Sequence, residues 1–276
     1  MCAKISQEVK TIIMKNGIVI PCYNEANRLD FNAFQNFINE NEDYFICFVN
    51  DGSQDETLNQ LIEFEKRNKA VQVYDLKDNV GKGEAVRKGT NYLLDYTDVQ
   101  TVGYLDADLA TGFDDYKRLH SVMRFSGKNA VFGSRKMNQD DTIERSAFRK
   151  LASFVIGLLV KMIIGIPIKD TQCGAKIFKR GTALYVFNNP FKSRWLFDVE
   201  VFIRLKNLFG KKVMHKIKEV ALLKWEDVDG SKITLKDSLK FPIQLLEIGI
   251  DYKIKPQLSQ MNLQLKSIAF GVKPAA

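Results

Sequence analysis

Three short clusters of acidic and polar residues could do chemistry: Pro21-Cys22-Tyr23-Asn24-Glu25, Asn50-Asp51-Gly52-Ser53 and Asp106-Ala107-Asp108. Carboxylates one residue apart, as in Asp106 and Asp108, suit a hard divalent ion such as Mg2+ or Mn2+. Such an ion takes oxygen ligands and keeps waters while it bridges phosphates. Taken alone, an Asp-x-Asp pair reads as an ordinary surface turn. Gathered from several chain segments, however, carboxylates repel one another unless a cation or basic groups offset them, so their convergence would mark a site. A glycine loop, Asn79-Val80-Gly81-Lys82-Gly83, could bring backbone N–H groups and Lys82 to a nucleotide, or simply turn the chain into a helix. The chain has no GxxxxGK[ST] spacing and no GxGxxG after its first apolar run, which disfavours the usual ATP and dinucleotide sites.

These clusters need elements to hold them. Each follows a short apolar run: Gly17–Cys22, Tyr44–Val49 and Thr101–Leu105 read as strands, joined by Val71–Tyr74 and Ala130–Gly133. Between them, apolar residues three and four apart (Phe31, Phe34, Phe37, Ile38; Leu58, Leu61, Ile62) predict helices, as do Gly83–Leu94 and Asp114–Arg124. Strand alternating with helix predicts an α/β fold with a mostly parallel central sheet flanked by helices. In such sheets ligands bind outside the carboxyl ends of the strands, which is where the three clusters fall.

The second half differs. Ser146–Gly165 is apolar with a wide helical stripe, but Lys161, Gly157, Gly165 and Pro167 break it short of the roughly 20 apolar residues of a bilayer span. It reads either as a core helix or as an interfacial helix whose Arg145, Arg149, Lys150, Lys161 and Lys169 meet anionic headgroups. A further helical stretch, Ile233–Tyr252, contains Pro242.

Among the 276 residues the net charge of +8 is unevenly spread. Residues 1–140 hold 17 Lys+Arg against 21 Asp+Glu, and residues 141–276 hold 24 against 12. The basic half predicts an anionic partner, or else a solvated face. No aromatic-basic stripe or recognition helix supports nucleic acid as that partner. Four scattered cysteines and two histidines exclude the usual zinc sites and a disulfide framework, and predict a reducing compartment. No run near Met1–Lys15 has the length of a signal-peptide core.

The ordered set IVIPCYNE (18–25), VNDGSQDET (49–57), NVGKG (79–83) and LDADLAT (105–111) resembles the inverting family 2 glycosyltransferases of GT-A fold. FGSR (132–135), DTQCGAKIF (170–178), RWLFDVEVF (194–202) and Gly230-Ser231-Lys232 are similar to the branch that charges polyprenyl phosphates, dolichyl-phosphate glucosyltransferases above all. The resemblance implies a GT-A domain over 17–232, preceded by an N-terminal extension (1–16) and followed by an amphipathic helical tail (233–276). It implies that Pro21, Tyr23, Glu25, Asp51, Lys82 and Ala107 line the nucleotide-sugar site, and that Asp106 and Asp108 hold Mg2+ or Mn2+. Arg135, Arg145 and Lys232 would bind donor or acceptor phosphate. Ala110 stands where mannosyl relatives often carry a polar residue, so another group, such as water, Asp114 or Asp115, would complete the metal shell.

The implied reaction is hexose transfer, glucose first, from a nucleotide sugar to a polyprenyl phosphate at the cytoplasmic face of a membrane. Attachment would be peripheral, to an anionic surface. A lipid phosphate with a second pKa of about 6 is ionised at neutral pH and needs no strong base. A hydroxyl acceptor would need one, with Asp198 or Glu200 as the candidate. A soluble or glycan acceptor, a GDP-mannose donor and a catalytically silent binding module are the alternatives.

Overall fold

In the computed structural model the described residues are 16–135, 157–225 and 235–254. The chain enters on β1 (Asn16–Cys22), α1 (Phe31–Glu40), β2 (Tyr44–Asp51), α2 (Thr57–Arg67), β3 (Val71–Leu76) and α3 (Lys82–Tyr96). It continues through β4 (Thr101–Tyr104), α4 (Phe113–Ser126), β5 (Ala130–Ser134) and a helix, α5, over 157–164. Then come β6 (Lys176–Lys179), α6 (Arg180–Val186), α7 (Phe197–Phe209), α8 (Val213–Lys216), β7 (Ile217–Ala221) and α9 (Leu235–Gly249).

The seven strands form one sheet in the order β3-β2-β1-β4-β6-β5-β7. Along β1, side chains alternate between two apolar layers, as a period of two requires. Ile18 and Ile20 pack with Phe34, Phe48 and Leu119 beneath α1, α2 and α4. Val19 packs with Val49, Val86 and Phe197 beneath α3 and α7. Helix α3 lies close against the sheet because Gly89 has no side chain: a Cβ there would come within 2.7 Å of Val19 and 2.5 Å of Val49.

The five strands and four helices expected in the first half are all present, and no strand end lies more than two residues from its expected place. Two strands were not anticipated. β7 joins β5 in parallel, while β6 runs antiparallel between β4 and β5, with Tyr104 and Phe132 both in register with Lys176. An antiparallel strand begins where its neighbours end. Residues 170–176 therefore arrive at the same sheet edge as the loops after β1, β2 and β4.

At that edge Lys176 is fully buried, its Nζ 2.7 Å from Asp198 Oδ1 at the start of α7 and 2.6 Å from the Cys173 carbonyl. The Tyr104 hydroxyl donates to the same Asp198 oxygen. Asp198 is thus the buried counter-ion of a strand lysine.

The apolar stretch predicted over 146–165 is described from residue 157 onward, and Arg145, Arg149 and Lys150 lie outside the described residues. Ile163 and Ile164 are buried, whereas Leu158 (47%) and Met162 (56%) are exposed beside Lys161. Pro242 sits within α9, whose Leu245 and Ile248 join the core layer beneath α3 and α7. Among the described residues no helix is long and apolar enough to cross a membrane.

Removing one partner of a buried ion pair leaves an uncompensated charge and costs about 3–5 kcal/mol. Lys176→Met is therefore expected to lower unfolding free energy by about 3–5 kcal/mol in urea titrations. Adding Asp198→Leu should recover a large part of that loss. A single variant as stable as wild type would contradict the buried pair.

Candidate active site

The loops after β1 and β2 interlock. The Asn24 amide N–H donates to Ser53 Oγ (3.0 Å) and Gln54 N–H donates to Asn24 Oδ1 (2.8 Å). Glu25 N–H donates to Thr57 Oγ1 (2.8 Å). Asn24 adopts the left-handed region at φ 52°, a conformation that Asn tolerates better than most residues. Pro21 and Tyr23 stand half-buried at the end of β1, beside these contacts.

Asp51, buried at the end of β2, holds the glycine loop. Its Oδ1 accepts from Val80 N–H at 2.7 Å and its Oδ2 from Gly81 N–H at 2.9 Å. Burial raises this carboxyl's pKa, and the two N–H donors offset only part of that rise. On the other side of the loop, Arg194 donates to the Asn79 carbonyl (2.9 Å) and to its Oδ1, while Gly83 N–H donates to the Arg194 carbonyl (3.1 Å). Gly81 is required twice: its φ is +94°, and a Cβ would come within 2.5 Å of Arg194 Nε. The NVGKG and RWLFDVE segments, far apart in sequence, thus form one unit that opens α3 at Lys82.

From that first helical turn Lys82 reaches the paired aspartates. Its Nζ is 2.6 Å from Asp106 Oδ1, and Arg28 Nη2 is 2.7 Å from Asp108 Oδ2. Arg28 also faces Glu25, with Nη1 3.4 Å from Oε2. Asp108 Oδ1 accepts from Ala110 N–H (3.1 Å) across a turn in which Leu109 has φ 52°. The two carboxylates keep 30% and 22% of their side-chain surface exposed, so each is paired and still open to the cleft. Burial would raise the pKa of Asp106, but Lys82 first, then Lys176 and Arg135, hold it below the ordinary carboxylate range. Burial likewise lowers and Asp106, Asp198 and Asp108 raise the pKa of Lys82, with a net increase.

The loop before β6 closes the site from below. Gly174 lies so close to Asp106 that any Cβ would collide with its carboxylate. Arg135, just past β5, forms a two-pronged pair with buried Asp170 (Nε 2.7 Å, Nη2 2.9 Å), and its backbone N–H donates to the same carboxylate at 3.0 Å. Its guanidinium lies 5.4 Å from the centre of the Trp225 ring. Ala107 is buried with its methyl in the core layer under α4, so it can meet a ligand only through its backbone.

Three other expected carboxylates have partners of their own. Asp115 is buried as a clamp on the backbone N–H groups of Leu223 and Lys224 (3.0–3.1 Å). Asp114 is an exposed partner of Lys117. Neither joins Asp106 and Asp108. Asp198, the expected base for a hydroxyl acceptor, is engaged by Lys176 and Tyr104 beneath the site. Arg145 and Lys232 lie outside the described residues. Sequence reasoning assigned no role to Arg28, Tyr104, Asp170, Gly174, Lys176 or Arg194. For Arg28 the signal was present: acidic clusters that converge demand nearby cations.

Together these features define an α/β domain with an acidic, cation-balanced cleft at the carboxyl edge of a mostly parallel sheet, as in a GT-A fold. Residues 17–184 match the glycosyl transferase family 2 domain, and the chain belongs to that family. A dolichyl-phosphate beta-glucosyltransferase of Trichomonas vaginalis is 30% identical over 263 residues, covering 89% of this chain and 77% of the relative. The enzyme of that name from Drosophila melanogaster is 34% identical over 240 residues (79% and 69%), and that from Saccharomyces cerevisiae 31% over 259 (86% and 74%). The fold is similar to glucosyl-3-phosphoglycerate synthase of Mycobacterium tuberculosis (TM-score 0.60, 15% identity, 87% of this chain and 80% of that one). It is equally similar to a complex of that enzyme with Mn2+, UDP-glucose and phosphoglyceric acid (TM-score 0.61, 16% identity, 86% and 80%).

Arg135 holds the Asp170 carboxyl below its ordinary range against the opposing effect of burial. A depressed carboxyl adds stability above its unfolded pKa of about 3.9, and that stability is lost as pH falls through the folded value. Asp170→Asn should therefore cost about 2–3 kcal/mol at pH 7 and progressively less below about pH 4, read by urea unfolding across pH. An equal deficit at both ends would contradict the pairing.

Proposed function

We propose that this chain transfers glucose, with inversion, from UDP-glucose to the phosphate of a polyprenyl lipid at the cytoplasmic face of a membrane. The observation that carries the reading is the pair Asp106 and Asp108. They are accessible, one residue apart, and balanced only by cations that other segments bring to them. The dolichyl-phosphate glucosyltransferase names of the relatives favour glucose and a lipid phosphate.

Asp106 and Asp108 fit a divalent ion by donor type, charge and access, and the bare backbone at Gly174 leaves room for the Asp106 carboxylate to lie flat. Among the described residues no third His, Cys, Asp or Glu completes a metal group, which suits an ion that shares its shell with water and diphosphate. Bound there, Mn2+ or Mg2+ would stabilise negative charge on the departing diphosphate. Mn2+ is the first choice, because the complexes of the structural neighbour contain it.

The remaining work falls to side chains. Asp51 and Arg194 fix the glycine loop, which points Lys82 at the diphosphate side of the cleft. Arg135, locked by Asp170 and Trp225, offers a rigid cation for phosphate oxygens. The acceptor phosphate arrives already ionised, so no side chain has to remove a proton. Asp198 then acts as a positioning residue: it holds Lys176 behind Asp106.

The membrane reading rests on two exposed apolar strips. One is Leu158 and Met162 beside Lys161; the other is Ile243 and Leu246 on α9 with Ile250 just past its end. The two helices face each other at Gly249, where a Cβ would lie 3.5 Å from Ile163 Cγ1. Exposed apolar strips of this kind, the first with Lys161 beside it, fit the boundary of an anionic bilayer.

Incubated with UDP-glucose, Mn2+ and a short polyprenyl phosphate, the protein should form glucosyl lipid, and Asp108→Asn should lose about 100-fold or more of that rate. UDP-glucose consumption that ignores the lipid but responds to a soluble acceptor would overturn the acceptor assignment. Undiminished turnover by Asp108→Asn would overturn the metal role. In flotation with anionic vesicles wild type should bind at low salt, and Met162→Glu combined with Leu246→Glu should stay in solution. Equal flotation of both would remove these strips from the membrane contact.

A further inference from the structure

We infer that Lys82 and Arg28 are exchange cations: they neutralise Asp106 and Asp108 while the metal is absent and pass to the donor diphosphate when metal and nucleotide bind together. The inference rests on the donor and metal reading above and extends it to the order and coupling of binding.

The charges show why. Asp106 and Asp108 carry two negative charges, and Lys82 and Arg28 meet them one to one at 2.6 and 2.7 Å. A divalent ion on the same carboxylates neutralises them a second time, so the two monovalent cations become surplus. In a nucleoside diphosphate sugar each phosphate carries one negative charge, and two released cations match the pair. Both side chains can make the move. Lys82 begins α3 on a flexible stem with 26% of its side chain exposed, and Arg28 lies on the loop between β1 and α1 with 19% exposed. Lys176, in contrast, is sealed behind Asp106 and tied to Asp198, so it stays. The site thus has two fixed cations, Lys176 and Arg135, and two that can change partners.

Metal alone must displace two ion pairs, leaving Lys82 to face it across the cleft and Arg28 with Glu25 still beside it. Metal with diphosphate gives both a new partner. Binding of each should favour the other, by the same factor in both directions.

The sign of a mutational effect tests this. The measurement is Mn2+ binding to the full chain, by calorimetry, alone and with saturating UDP, for wild type, Lys82→Met and Arg28→Met. In wild type UDP should tighten Mn2+ about 5- to 150-fold, the usual range of such coupling. Each variant should bind Mn2+ alone more tightly than wild type, by about tenfold, and lose about tenfold of the UDP enhancement. Simple damage to the site would weaken both quantities, so opposite movement separates exchange from misfolding. If the variants bind Mn2+ alone no better than wild type, or keep the full UDP effect, exchange is wrong while the transferase reading stands. If wild type binds neither Mn2+ nor UDP, both fall.

Discussion

Two carboxylates one residue apart at the end of a buried strand repel each other, and the site is organised around the cations that this repulsion requires. Lys82 and Arg28 meet them in front, and Lys176 and Arg135 act from behind and beside. Each cation in turn imposes a structure. Lys82 has to start a helix whose preceding loop is gripped by Asp51 and Arg194. Fully buried Lys176 needs Asp198, and Arg135 needs Asp170. Remove the charge at Asp106 and Asp108, and the placement of four cations and three further carboxylates loses its electrostatic reason.

Topology makes the crowding possible. Parallel strands alone would bring only the residues that follow them to this edge. The reversed strand β6, wedged between β4 and β5, adds the residues that precede it, namely Asp170, Gly174 and Lys176. Gly174 shows how tightly the two contributions meet, since its backbone takes the space beside the Asp106 carboxylate that a side chain would need.

How much of this could be read from sequence differs by residue. Strands β1 to β5 were legible because Ile18-Val19-Ile20 and Phe45–Val49 are apolar runs bounded by polar loops, as strands covered on both faces must be. The aspartates and the glycine loop were legible because they follow those runs. β6 was hidden: Lys176-Ile177-Phe178-Lys179 is short and begins with a lysine that ordinary patterning places in solvent, although this lysine is fully buried against Asp198. Asp198 itself looked like a candidate base because a carboxylate in a family motif invites a chemical role, and only its three-dimensional partners reveal it as a counter-ion. Arg28 could be demanded by charge balance but not located, since nothing in Asn24–Asp30 says which way its side chain turns. The stripe in α5 was ambiguous for a physical reason too, as its described part buries Ile163 and Ile164 while exposing Leu158 and Met162.

The central claim is spatial: Asp106 and Asp108 together form the seat of a divalent ion that faces a sugar nucleotide. Anomalous X-ray scattering from crystals soaked in MnCl2 and UDP-glucose tests it most directly. The account predicts one manganese peak within coordinating distance of both carboxylates, with Lys82 and Arg28 turned toward the diphosphate. A bound nucleotide with manganese elsewhere, or with both aspartates still held by Lys82 and Arg28, would contradict it.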